Sequence, residues 1–154
     1  MKQPKKIFTR MLINNWGGIS HRMMEFHEYV NLFSGKSGSG KSTVMDAIQV
    51  VLYGSMSASF LNKAADDAKN RRSVMSYLRG EQKDGTANRG GQDFCSTLVL
   101  EIKDTGSGIT TCFGVLFEIG KADTDINGKY TFFSHSGSMP EDEYLEEGGI
   151  PYSR

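Results

Sequence analysis

At 154 residues the chain is long enough for one domain with its own buried core. Its 38% hydrophobic content is ordinary for a globular domain once glycine is added, and no apolar run reaches the ~18 residues needed to span a membrane. Net charge is zero, but residues 1–80 hold 12 Lys/Arg against 5 Asp/Glu and residues 81–154 hold 6 against 13, balances of +7 and −7. Two readings of that asymmetry stay open: a basic surface suited to phosphate or nucleic acid, or charges scattered over solvated faces.

Residues 1–6 read as a loose tail. Lys2, Lys5 and Lys6 are followed by no apolar stretch, so they do not open a secretory signal. Ile7 to Trp16, with Ile7, Phe8, Met11, Leu12 and Ile13, reads as a first strand. Arg22 to Phe26 reads as a short second strand that would hairpin into a buried third at Tyr29–Phe33.

Gly35 to Thr43 then reads GKSGSGKST and fits G-x-x-x-x-G-K-[ST] at Gly35, Gly40, Lys41 and Ser42. This is the phosphate-binding loop of nucleotide triphosphatases. Glycines let the backbone wrap so that successive N–H groups point at phosphate oxygens. The helix that follows aims the positive end of its dipole at the same anion. On this reading Gly35, Lys36, Ser37, Gly38, Ser39, Gly40, Lys41, Ser42 and Thr43 bind the nucleotide. Lys41 meets the outer phosphates and the Ser42 hydroxyl holds Mg²⁺. Thr43 to Tyr53 carries Val44, Ile48, Val51 and Leu52 at helical spacing, with Gly54 as a stop. Strand, glycine loop and helix are the context that the motif requires.

Residues 55–92 are polar, with short helical windows at Ala58–Ala68 and Arg72–Leu78 and a glycine-bearing loop at Thr86–Gln92. Phe94 to Lys103 alternates as a strand, Asp104–Gly108 turns, Ile109 to Ile119 returns, and Tyr130 to Ser134 follows the Asn127-Gly128 turn. These make an antiparallel meander. Gly137 to Arg154 is acidic and has no strong periodicity.

Groups for chemistry outside the loop are few. Glu101 and Glu118 each end a run of apolar residues and are the two candidates for a second, metal-holding carboxylate. Both sit inside strands where a solvent-facing Glu is the commoner arrangement. His21, His27 and His135 are isolated, which suits surface or hydrogen-bonded structural histidines, and Cys95 and Cys112 suit reduced core thiols. No Asn-Lys-x-Asp guanine reader occurs, which favours ATP over GTP.

Asn14-Asn15-Trp16, then GKSGSGKSTVMDAIQVVLYG from Gly35 to Gly54, resemble the N-terminal part of SMC-type and SbcC/RecF-type ATPase heads. Asp46-Ala47-Ile48 and Leu52-Tyr53-Gly54 separate that family from GTPases and kinases. Ser76-Tyr77-Leu78-Arg79-Gly80-Glu81 ahead of antiparallel strands is similar to the bacterial MukB-like branch and to the heads of Wadjet plasmid-defence condensins. Departures are Ser37 where many members have Asn, and Gly17-Gly18 where repair-type members have Arg. No Gln follows Gln92 to serve as the family's metal-contacting glutamine.

The resemblance implies an α/β, ABC-type lobe with a mixed sheet around the loop helix plus an antiparallel β-meander. It implies ATP and Mg²⁺ as cofactors and the whole of residues 1–154 as the N-terminal half of a split head. Residues 135–154 would lead toward a coiled coil. The catalytic acids and signature helix would lie on the C-terminal half, so no catalytic residue is assigned here. The implied partners are that C-terminal half, a second head in a homodimer, kleisin-type and accessory subunits, and double-stranded DNA, in a bacterial cytoplasm and without a membrane. Arg71 and Arg72 are the candidates for a basic residue that reaches the phosphates, with Arg79 behind them. The alternatives are a small nucleoside or metabolite kinase using the same arginines as a lid, and a nucleotide-binding module without turnover.

Overall fold

A computed structural model of the chain describes residues 3–27, 41–54, 56, 73–82 and 84–153. Their elements are β1 (Lys6–Trp16), β2 (Ile19–Glu25), α1 (Lys41–Tyr53), α2 (Val74–Arg79), β3 (Phe94–Asp104), β4 (Thr110–Ile119), β5 (Tyr130–Ser136), β6 (Leu145–Glu146) and β7 (Ile150–Pro151). Strands β1 to β5 form one sheet in the order β2-β1-β3-β4-β5, with β6 and β7 as a separate short hairpin. Every pairing in the five-stranded sheet is antiparallel. The expected mixed sheet is thus antiparallel throughout its described strands. The stretch 29–33 lies outside the described residues, as do the helical window 58–68 and the loop from Gly35 to Gly40.

The meander falls where alternation and turn residues put it, with Leu98 opposite Val115 and Val115 opposite Phe132. The expected pairing of the second strand with 29–33 falls on residues outside those described, while its described partner is β1. β2 folds back on β1, Trp16 opposite Ile19, across a two-residue Gly17-Gly18 turn. Gly17 has φ +59°, a conformation that favours glycine and suits tight hairpins. The tail is also less loose than its composition suggests. Lys5 N–H donates to Thr105 Oγ1 at 2.9 Å, and Lys5 C=O accepts from Thr105 N–H at 2.8 Å.

The central strands are covered on both faces. On one face Met11, Ile13, Leu98, Leu100, Val115 and Phe117 pack against α1 and α2 through Val44, Ala47, Ile48, Val74, Tyr77 and Leu78. On the other, Leu12, Val99 and Cys112 pack against Met139 and Tyr144. Residues 137–152, which carry no periodicity, therefore fold back as a cover over the second face. His21 Nε2 meets Glu143 Oε2 at 2.5 Å, and His135 Nε2 meets the Tyr144 hydroxyl at 2.6 Å, so two of the histidines fasten this cover. Both cysteines are free thiols, Cys112 buried and Cys95 half-buried. The two outermost described strands of the sheet differ in charge: β2 carries His21, Arg22 and Glu25, whereas β5, YTFFSHS, has no Asp, Glu, Lys or Arg.

Glu101 corrects the expectation of a solvent-facing strand residue. It is buried on the second face, 5% exposed. Its carboxylate accepts from Thr9 Oγ1 (2.7 Å), Arg10 Nε (3.1 Å), Arg10 Nη2 (2.8 Å) and the Met139 N–H (3.0 Å). Burial pushes the carboxyl up, but the bonds from Arg10, Thr9 and Met139 outweigh it and hold Glu101 at about 2. A folded value below the unfolded one contributes stability above pH ~4.5, which disappears as the pH falls toward 2. The difference corresponds to something on the order of 3 kcal/mol. Glu101→Gln is expected to lower the melting temperature at pH 7 and to flatten its decline between pH 5 and 2. Acid melts of the two proteins followed by circular dichroism check this; parallel curves would contradict it.

Candidate functional site

The G-K-[ST] end of the sequence motif coincides with the first turn of α1, which starts at Lys41. The first N–H groups of a helix have no intrahelical partners and face the positive end of its dipole. Ser42 is exposed on this turn, while Thr43 and Val44 are buried. Residues Gly35, Lys36, Ser37, Gly38, Ser39 and Gly40, the Lys41 side chain, Arg71 and Arg72 lie outside the described residues.

What holds this turn comes from two distant parts of the sequence. Trp16, at the end of β1, is fully buried, and its indole N–H donates to the Thr43 carbonyl at 3.0 Å. Its ring stacks on Tyr77 of α2 at 4.7 Å between centroids and 14° between planes. The Tyr77 hydroxyl donates to the buried carboxylate of Asp46, one turn further along α1. Gly17 N–H donates to the Tyr77 carbonyl at 2.6 Å, and a Cβ at Gly17 would lie 2.6 Å from Thr43 Cγ2. Three of the stretches that carried the family resemblance, Asn14–Trp16, Asp46–Ile48 and Ser76–Glu81, thus meet at the helix that follows the glycine loop. α2 itself is short but capped at both ends: Ser73 Oγ accepts from Ser76 N–H at 3.1 Å, and Gly80 closes it with φ +68°.

Arg79 is not a phosphate ligand. Its guanidinium is buried and donates to the carbonyls of Arg89 (3.1 Å), Gln92 (2.8 Å), Gly120 (2.6 Å) and Asp123 (3.0 Å). Arg89, which no sequence feature singled out, is buried beside it. It donates to the carbonyls of Leu78 (2.6 Å), Gly17 (2.7 Å) and Tyr77 (3.2 Å). Desolvation lowers Arg89 to about 10. Both guanidinium groups lie over Phe94, at 5.4 and 5.6 Å from its centroid. Together they bind the end of α2, the Gly17 turn and the β4–β5 connection into one unit.

The carboxylate candidates face away from α1. Val115 and Phe117 of β4 pack with α1, so Glu118 belongs to the opposite face, where it borders a shallow depression of about 680 Å³ with Asp93, Cys95 and Lys121. Glu101 is likewise on the second face, held by Arg10. Among the described residues no group of three or more His, Cys, Asp or Glu could hold a metal ion. Two of the described basic residues of the N-terminal half are engaged within the fold. Arg10 is paired with Glu101 and Arg79 is bound to carbonyls.

Residues 8–68 match a family model described as the P-loop containing region of AAA domain. The chain is also 36% identical over 74 residues to the SbcC chain of the SbcCD nuclease of Staphylococcus haemolyticus (strain JCSC1435), a stretch covering 46% of this chain and 6% of that protein. The chain therefore spans only a small part of the length of the curated relative it matches. The family match takes in the phosphate-binding motif at Gly35–Thr43. No described helix is long and apolar enough to cross a membrane.

Arg79→Ala is expected to cost roughly 2–4 kcal/mol of stability by orphaning buried carbonyls, and to leave the ratio of ATP to ADP affinity unchanged. Denaturant titration and calorimetry with both nucleotides measure the two effects. A selective loss of ATP affinity in a stably folded variant would return Arg79 to the phosphates.

Proposed function

We propose that the chain is the ATP-binding, N-terminal half of an SMC-like ATPase head. Gly35 to Thr43 holds the triphosphate, Lys41 neutralises its outer phosphates and Ser42 contacts Mg²⁺. The observation that carries this reading is the junction of motif and fold: G-x-x-x-x-G-K-[ST] runs directly into α1, whose first turn presents Ser42 outward and is fixed from behind by Trp16 and Tyr77. The similarity to the P-loop region of AAA domains and to an SbcC protein supports it.

Hydrolysis is then completed by a C-terminal head half and by dimerisation of two heads on two ATP molecules. We read the particular member as a condensin-type DNA motor with a kleisin-type partner, most like JetC of the Wadjet plasmid-defence systems, on the strength of Ser76–Glu81. The matched relative is named as one part of a nuclease, which favours an assembly of more than one kind of chain. Duplex DNA would be met through its phosphates, without base reading and with steep salt dependence.

Calorimetric titration of Mg²⁺-ATP into the chain and into Lys41→Ala tests the site. Binding is expected in the first and lost in the second, at a stability cost under ~1 kcal/mol. The chain alone is expected to turn over no ATP, and addition of a C-terminal head half to restore turnover. Steady hydrolysis by the isolated chain, abolished in Lys41→Ala, would instead indicate a complete phosphoryl-transfer enzyme.

Arg71 or Arg72 is proposed to approach the γ-phosphate, since both follow the first helix in a polar stretch. Arg71→Ala or Arg72→Ala should weaken ATP more than ADP, because the γ-phosphate adds charge for the cation to meet. Equal losses for both nucleotides in both variants would remove the pair from the site.

A further inference from the structure

We propose that Trp16, Tyr77 and Asp46 form a positioning clamp that fixes the first turn of α1, and through it the Ser42 hydroxyl, for Mg²⁺-nucleotide; this rests on the nucleotide-binding reading above. Thr43 and Asp46 are three residues apart, so they lie on one face of the helix, next to Ser42. Each is gripped by a different element. Trp16 Nε1–H holds the Thr43 carbonyl from the tip of β1, and the Tyr77 hydroxyl holds the Asp46 carboxylate from α2. The two anchors are locked together by their stacked rings and by the 2.6 Å bond from Gly17 N–H to the Tyr77 carbonyl. Arg89 Nη2 closes the arrangement by donating to both the Gly17 and the Tyr77 carbonyls.

The chemistry of the contacts is what separates a clamp from ordinary packing. A helix that only had to cover the sheet would do so with apolar side chains, as Val44, Ala47 and Ile48 do. Burying a carboxylate is costly unless it is hydrogen-bonded, and the return is direction. Apolar contacts tolerate rotation of a helix about its axis. Two hydrogen bonds to defined atoms on one face do not. A metal-contacting hydroxyl needs such support, because the groups behind a metal ligand set its orientation.

The chain has one tryptophan, so its emission reports on this clamp. Mg²⁺-ATP is expected to shift the Trp16 emission of the unsubstituted chain. Tyr77→Phe keeps the stacked ring and loses the bond to Asp46; Trp16→Phe keeps a ring and loses the bond to Thr43. Each is expected to weaken Mg²⁺-ATP by about tenfold while affecting Mg²⁺-free ATP less. Asp46→Asn retains an acceptor oxygen for Tyr77 and should keep most of the affinity. Calorimetry with and without Mg²⁺, alongside melting curves, reads all three. Unchanged Mg²⁺-ATP affinity in Tyr77→Phe and Trp16→Phe, with only a lower melting temperature, would reduce the clamp to packing. Failure of the unsubstituted chain to bind any nucleotide would overturn the nucleotide reading, and the clamp with it.

Discussion

The pairing of β1 with β3 is the constraint on which the rest depends. These strands lie at the centre of the sheet, buried on both faces, and their residues are far apart in sequence: Ile13 lies opposite Leu98 and Lys6 opposite Asp104. Closing so long a connection costs entropy, which grows only slowly with length but must be met before the pairing contributes. The segment enclosed by that closure holds the glycine loop, α1 and α2. The candidate nucleotide site is therefore an insertion between two paired strands, and its position is set by where those strands end. Trp16, the last residue of β1, is the point at which the sheet takes hold of the inserted helix.

Much of this was legible in the chain. The meander follows from alternation in Phe94–Lys103 and Ile109–Ile119 and from the glycine turns between strands. The loop helix follows from the spacing of Val44, Ile48 and Val51 after a glycine-lysine-serine motif. The pairing of β2 with β1 is not read from pattern alone, although its signal is present. Gly17-Gly18 is a two-residue hairpin turn, but the run Arg22–Phe26 points equally well forward to the next apolar stretch. The buried state of Glu101 has no local signal. Its strand alternates as a half-exposed strand would, and the cover on its second face comes from residues 137–152, whose sequence has no period. Arg79 and Arg89 are opaque for another reason. Their partners are backbone carbonyls, which every residue has, so no residue pattern reveals them.

The candidate site shows the same division. The residue types needed to bind phosphate can be read directly, because the motif specifies them. The residues that support the helix cannot be ranked without coordinates. Trp16, Asp46 and Tyr77 stand in the sequence as family likenesses with no physical role attached. In space they form one connected set of a stacked pair and two hydrogen bonds.

The unequal charge of the two outermost described strands has a colloidal consequence. Unpaired strand edges offer N–H and C=O groups to any extended chain, and charged side chains are a common guard against that. β2 has this guard in Arg22 and Glu25. β5 does not, and no described strand pairs with its outer edge. Tyr130 and Phe132 stand partly exposed along it, and Phe113 beside it on β4. Of the two outermost described strands, β5 is the one without a charged guard against pairing with a second copy at the concentrations used for spectroscopy or crystallisation, and a single lysine on it is the smallest change that would supply the guard β2 already has.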